Sequence, residues 1–293
     1  MGEPVEGEVV GGTGPGDGLG AAGRALADAV AGLLGRDAAA PGRAAGTGTG
    51  TGGDRAGGAA SVLSDVVAAV AGAARSARGG TGGTDTGSGK GSGRSVAPGG
   101  MLTDLLGAAA PRLPIRGRDR LRQAYPGASD EEIADALVAR ASRLTGGIGA
   151  ASGGLAAAQW FAPPTLLAVP LEMGAQTVLV AAVEVVLIGE LHELYGRPAP
   201  GDPRERAAAY LTSWTTQRAV GSRQTGGLLG VLGAAGARTL RRQVGRRLAR
   251  SSTSAAPLLV GAAIAARGNS KGTVTLADRV RADLRTALPR ARR

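Results

Sequence analysis

Apolar residues fall at helical spacing in blocks separated by runs of Gly, Thr and Ser, and strand-like alternation is scarce. The first three blocks, at about residues 21–35, 59–78 and 101–110, share a local pattern of Leu, any residue, Asp and two apolar residues. They read Leu26-Ala-Asp28-Ala-Val30, Leu63-Ser-Asp65-Val-Val67 and Leu102-Thr-Asp104-Leu-Leu106, at spacings of 37 and 39. This predicts short amphipathic helices, each with one docking face. Isolated helices of this length are marginal in water, so they need a partner or the chain's own core as a platform. The Gly/Thr/Ser stretches at 41–57 and 79–100 read as loose tethers, and the acidic, Gly-rich residues 1–20 as disordered.

Organised sequence begins near residue 115. In Tyr125-Pro-Gly-Ala-Ser129-Asp-Glu-Glu132, Ser129 and Glu132 have the spacing of a capping box, so a helix starts there with Ile133, Leu137, Ala141 and Leu144 on one face. From Leu144 to Leu171 no residue is charged, a run of 28 that exceeds the roughly 20 residues needed to cross a bilayer. Pro163 and Pro164 divide this run into two expected helices, at about 146–161 and 165–194. The second carries Glu172, Gln176, Glu184 and Glu190, with Glu172, Gln176 and Glu190 on one face. Carboxylates at these positions argue against a simple lipid-spanning helix. They fit a hairpin inserted in one leaflet, or a helical core that also lies on a membrane. In either case Gly146, Gly147, Gly149, Gly153 and Gly154 would allow close helix contact. Further helices are expected at 204–220, at 251–266 with Gly268 as its cap, and over 276–293, where Leu276, Val280 and Leu284 share a face.

With 52 Gly and 2% aromatic residues, the core must be built from Ala, Leu and Val, and helices must approach closely to bury much area. The net charge of +11 comes almost wholly from Arg, since Lys90 and Lys271 are the only lysines. Six of these arginines, Arg238, Arg241, Arg242, Arg246, Arg247 and Arg250, fall within thirteen residues that contain no acid. As a helix, Arg238, Arg242, Arg246 and Arg250 form an i, i+4 ridge, and the run suits an anionic membrane surface, with the cytoplasmic side of the membrane as the expected location and the cytoplasm as the alternative. Nucleic acid is the weaker fit, because one Phe, two Trp and three Tyr offer few stacking platforms. The opening Glu3, Glu6 and Glu8 stand where a signal peptide would carry positive charge.

Candidate chemistry is sparse. The absence of Cys excludes disulfides, Cys-based zinc sites and thiol catalysis. His192 is the only histidine, and its neighbours Glu190 and Glu193 point away from it on a helix, so neither a metal nor a cofactor site is expected. Gly87-Ser-Gly89-Lys90-Gly-Ser92 lacks the first Gly and the Ser/Thr after Lys of a phosphate loop, and reads as linker. A hydrolase using Glu172 or Glu184 is the one enzymatic possibility, and it requires either carboxylate to line an accessible cleft.

Several stretches together resemble the EcsC family of bacterial helical proteins. They are Arg143-Leu-Thr-Gly-Gly147-Ile-Gly149, the apolar run with Pro170 and Gln176, Glu190-Leu-His-Glu-Leu-Tyr195-Gly196, and Pro257-Leu-Leu-Val-Gly261-Ala-Ala-Ile-Ala-Ala followed by Asn269. Ala265 departs from the family's second Gly in the last element. The resemblance spans about residues 120–285 and implies a peripheral or partly inserted membrane protein without an assigned reaction. The resulting expectation is an all-α, Gly/Ala-rich bundle. It has two parts: residues 1–115, largely disordered with short helices able to dock a protein partner through 20–110, and a helical domain at 116–293. Two functional classes follow: a non-enzymatic membrane-associated protein, or a scaffold whose N-terminal segments dock on a partner or on its own core.

Overall fold

The computed structural model describes residues 15–38, 52–79, 98–158, 168–224 and 256–286. It is all-α, with no strand among the described residues. The helices are α1 (Pro15–Ala38), α2 (Gly52–Gly79), α3 (Pro98–Ala109), α4 (Arg118–Ala124), α5 (Asp130–Ala158), α6 (Ala168–Leu194), α7 (Pro203–Gln224) and α8 (Ala256–Thr286). A single 3-10 turn at Ala110–Arg112 follows α3.

The three Leu-x-Asp segments dock inside the molecule. Leu26 and Val30 of α1, Leu63 and Val66 of α2, and Leu105 and Leu106 of α3 are buried, whereas Asp28, Asp65 and Asp104 face outward. The helices run well past the expected segments, to 24 residues for α1 and 28 for α2, and their apolar faces join one hydrophobic cluster with α5, α6 and α8. The composition change near residue 115 therefore does not separate two cores. Of the expected tethers, 80–97 and most of 41–57 lie outside the described residues, as do 1–14 of the expected disordered start.

Close approach is set by glycine at two crossings. A Cβ on Gly23 would stand 2.9 Å from the backbone of Ala108, which brings α1 onto α3. A Cβ on Gly149 would stand 2.6 Å from the Ala265 carbonyl oxygen, and one on Gly146 would stand 3.4 Å from that of Ala266, which seats α8 against α5. Gly147 faces α2 instead, at 4.0 Å from Ala59 Cβ.

Two expected helix breaks are absent. α5 continues unbroken through Gly146, Gly147, Gly149, Gly153 and Gly154, and α8 runs through Gly268 and joins the segments expected at 251–266 and 276–293. Each interior Gly costs a helix about 1 kcal/mol relative to Ala. Packing along the α5–α8 seam, where Leu276, Val280 and Leu284 are buried, outweighs that cost.

Helix ends follow local chemistry. The Ser129–Glu132 capping box forms: Glu132 N–H donates to Ser129 Oγ at 3.3 Å, and Ser129 N–H donates to Glu132 Oε2 at 2.8 Å. A second box, not read from the sequence, opens α7, where Asp202 Oδ1 accepts from the N–H groups of Arg204 and Glu205 and Asp202 N–H donates to Glu205 Oε2. α6 ends in a Schellman motif. Gly196, at φ +68°, donates to Glu193 O, and Arg197 N–H donates to His192 O at 2.8 Å.

The N-terminal end of α5 is tied to the C-terminal end of α8 by Glu131. Its carboxylate accepts from Arg285, from Arg281 at 2.6 Å and from the Tyr195 hydroxyl at 2.9 Å, while Arg281 also reaches Asp135. The Arg285 bond, with those from Arg281 and Tyr195, outweighs desolvation and lowers the Glu131 pKa from 4.5 to about 2. A depressed folded-state pKa means that this stabilisation is complete above about pH 4.5 and is lost as pH falls toward 2. Because the group is half exposed, solvent screening holds the contribution to about 1 kcal/mol. Melting temperatures measured at pH 5 and pH 2.5 should therefore fall less steeply for Glu131→Gln than for the unsubstituted chain.

Candidate functional site

Two carboxylates of α6, Glu184 and Glu190, are buried inside the bundle. Every residue from Val178 to Leu191 is buried, because α6 is surrounded by α1, α2, α3, α5, α7 and α8. A buried carboxylate is tolerated only when it is paired and hydrogen-bonded. Glu184 is 0% exposed, and four bonds occupy its two oxygens. Oε1 accepts from Arg218 and from Thr273 Oγ1 at 2.8 Å; Oε2 accepts from Trp214 Nε1 at 2.8 Å and from Arg218 Nε at 3.0 Å. Thr273 Oγ1 is also hydrogen-bonded to Thr145 Oγ1 at 2.9 Å, a pair in which either hydroxyl can be the donor. The resulting chain links α5, α8, α6 and α7 through one charge.

Glu190, six residues on, faces another side. Arg116, in the extended segment before α4, donates to it twice, from Nε to Oε1 at 2.6 Å and from the terminal nitrogen to Oε2 at 3.2 Å. Burial works against the charged guanidinium, but these bonds prevail and hold Arg116 above its ordinary pKa. Next to this pair, Ile115 packs where a Cβ on Gly189 would stand, at 2.9 Å, so Gly189 admits the strap that delivers Arg116.

These positions decide the chemistry. Glu184 is fully buried with both oxygens hydrogen-bonded, so it does not meet the condition of an accessible cleft that the hydrolase expectation set for it. Gln176 is half-buried near the start of α6. Glu172 lies in the first turns of α6, with its side chain outside the described set, and does not share an environment with Glu190 that can be described. Gly153 and Gly154 belong to the last turns of α5. Arg238, Arg241, Arg242, Arg246, Arg247 and Arg250, together with Pro163 and Pro164, lie outside the described residues.

Sequence reasoning missed Arg116, Trp214, Arg218, Thr145 and Thr273. A signal existed for two of them: Trp214 and Arg218 sit four apart on α7, one turn, and so face α6 together. Arg116, Thr145 and Thr273 lie far away in sequence and carried no mark.

The sole histidine borders a groove of about 620 Å³ between the α6–α7 loop, α7 and the end of α8. His192 Nδ1 is 3.0 Å from Arg197 O. A carbonyl only accepts, so the proton sits on Nδ1 and Nε2 carries a lone pair. Burial lowers the His192 pKa and keeps the ring neutral at pH 7. Its ring lies 5.3 Å from that of Tyr210, which is buried and whose hydroxyl oxygen accepts from Ala199 N–H at 3.1 Å. These bonds anchor the proline-rich loop at 197–203. Among the described residues, no three His, Asp or Glu side chains are grouped to hold a metal ion.

Among the described residues one helix, Gly174–Leu194, is long and apolar enough to cross a membrane, and 83% of its most apolar stretch is buried inside the protein. The fold and site together define a helical bundle whose central helix is cross-linked to its neighbours by arginine–carboxylate pairs. No family model, no curated protein and no solved structure matches the chain.

Proposed function

We propose that the chain is a non-enzymatic helical scaffold that keeps its longest apolar helix within its own bundle and offers its polar outer surfaces to a protein partner. The burial of α6 carries this reading. Its surface is covered by the chain's own helices, and Glu184 and Glu190 are matched by Arg218 and Arg116 rather than by lipid or water. The N-terminal helices support it in a second way. Leu26, Leu63, Leu105 and Leu106 are consumed by the core, so a partner meeting residues 20–110 would contact the outward face that carries Asp28, Asp65 and Asp104. The EcsC resemblance belongs to this proposal as the source of an accessory, non-catalytic role.

Fractionation of the untagged protein from its native host, with a carbonate wash of the membrane pellet, tests it. Recovery in the supernatant, or release by the wash, is the expected result; retention after the wash would mean that the 144–194 region is inserted, and would end the scaffold reading. A second reading, contact with anionic lipid, rests on the acid-free run Arg238 to Arg250. Charge reversal at Arg242 and Arg246 should then weaken liposome binding, and unchanged binding at low salt would remove that role from the run.

A further inference from the structure

The α5–α8 pair distributes its charge unevenly. At one end Glu131 and Asp135 meet Arg281 and Arg285. Beyond Asp135 on α5 and before Asp278 on α8, the described parts of these helices contain Arg140, Arg143, Arg267 and Lys271 and no carboxylate. Arg143, Arg267 and Lys271 line one groove of about 510 Å³ together with Ser142, Gly146, Ala266 and Ser270. The three cations are exposed and form its rim, while the small residues are buried or half-buried and form its floor.

The glycine seam creates this groove. A Cβ at Gly146 would stand in ordinary contact with Ala266 O at 3.4 Å and Ser270 Cβ at 3.5 Å, so the helices pack closely here and small residues line the depression. Ser142 donates its hydroxyl to Ala139 O at 3.0 Å, and Ser270 adds a second hydroxyl. The side chains of Arg267 and Lys271 have no carboxylate partner among the described residues. Three positive charges around a small-residue floor raise the local potential and favour a compact, multiply charged anion over a neutral ligand. Guanidinium forks and an ammonium point charge are the groups that phosphate oxygens engage.

We propose that the groove between α5 and α8 is a binding site for a phosphoryl group, carried either by a soluble phosphate or by a lipid headgroup. The residues that line the groove are not those of the Arg238–Arg250 run, and the proposal does not depend on the scaffold reading. One feature bears on the source: Ile264, 63% exposed, shares a helical stripe with Arg267, Lys271 and Val274, and so sets an apolar side chain beside the rim where a headgroup would bring acyl chains.

The test uses the full chain. Inorganic phosphate, titrated against chloride at equal ionic strength, should raise the melting temperature saturably. Arg267→Gln with Lys271→Gln should weaken the apparent affinity at least tenfold; both side chains are exposed and unpaired, so folding is expected to be retained, with circular dichroism as the check. A second variant, Arg241, Arg242, Arg246 and Arg247 all to Gln, should keep the phosphate response. Sedimentation with phosphatidylglycerol–phosphatidylcholine vesicles then separates the sources. Binding that falls in both the groove variant and Ile264→Ser points to a headgroup, whereas a phosphate response without groove-dependent vesicle binding points to a soluble ligand. Equal phosphate and vesicle responses in the groove variant and the unsubstituted chain, or no response to either probe, would overturn the site.

Discussion

Replacing Gly149 with alanine is expected to lower the unfolding free energy by about 1–3 kcal/mol, the usual cost of overpacking a tight interior. A methyl group there would lie 2.6 Å from the Ala265 carbonyl oxygen and 2.8 Å from Asn269 Nδ2, and the first of these is backbone that cannot swing aside. The α5–α8 seam must open, and the loss propagates because the same seam positions Thr145 against Thr273. Larger residues such as leucine should abolish cooperative unfolding. Gly268, on the same helix pair, is the control. It is exposed, and no atom lies within 4 Å of its Cβ position, so Gly268→Ala should stabilise the chain by about 0.5–1 kcal/mol through helix propensity. Urea titrations of the two variants should therefore move in opposite directions; movement in the same direction would mean that the seam is not held by glycine contact.

Glu184→Ala should be among the more damaging substitutions in the core, at about 1–3 kcal/mol, because it leaves buried donors without their acceptor, while Arg218, with 37% of its side chain exposed, can still turn to water. Arg218, Trp214 Nε1 and Thr273 would all lose their common acceptor. The loss should be strongly coupled to Arg218. Only Glu184 is fully buried, and Trp214 Nε1 and Thr273 stay without an acceptor in either variant, so Glu184→Met combined with Arg218→Met should recover part of the stability lost in Glu184→Met alone. A double-mutant cycle by chemical denaturation measures this. Additive losses would show that Arg218 is not the partner that neutralises Glu184.

Both predictions concern contacts between segments distant in sequence, and this is where sequence reading was weakest. The Ser129–Glu132 box was legible because a capping box is complete within four residues. The matching box at Asp202–Glu205 used the same grammar and was passed over among the prolines at 198, 200 and 203. The break expected before Gly146 is absent for a reason that the sequence does not carry. Glycine was weighed by its intrinsic helix cost, whereas in α5 that cost is offset by the partner helix that Gly146 and Gly149 admit. The apolar run was similarly ambiguous, because a helix hydrophobic on all sides satisfies a bilayer and a protein core equally well.

The sequence by itself determined the all-helical class, the Ala/Leu/Val core and the repeated Leu-x-Asp faces, since these depend on residue type and spacing within a few turns. Only the tertiary structure decided what those faces and carboxylates meet. Leu26, Leu63 and Leu105 enter the same core as α6, and Glu184 and Glu190 find Arg218 and Arg116, 34 and 74 residues away. A carboxylate in a sequence carries the same charge whether it faces water, lipid or an arginine. Which of these it faces depends on the helix that packs over it, and that is settled only when the whole bundle closes.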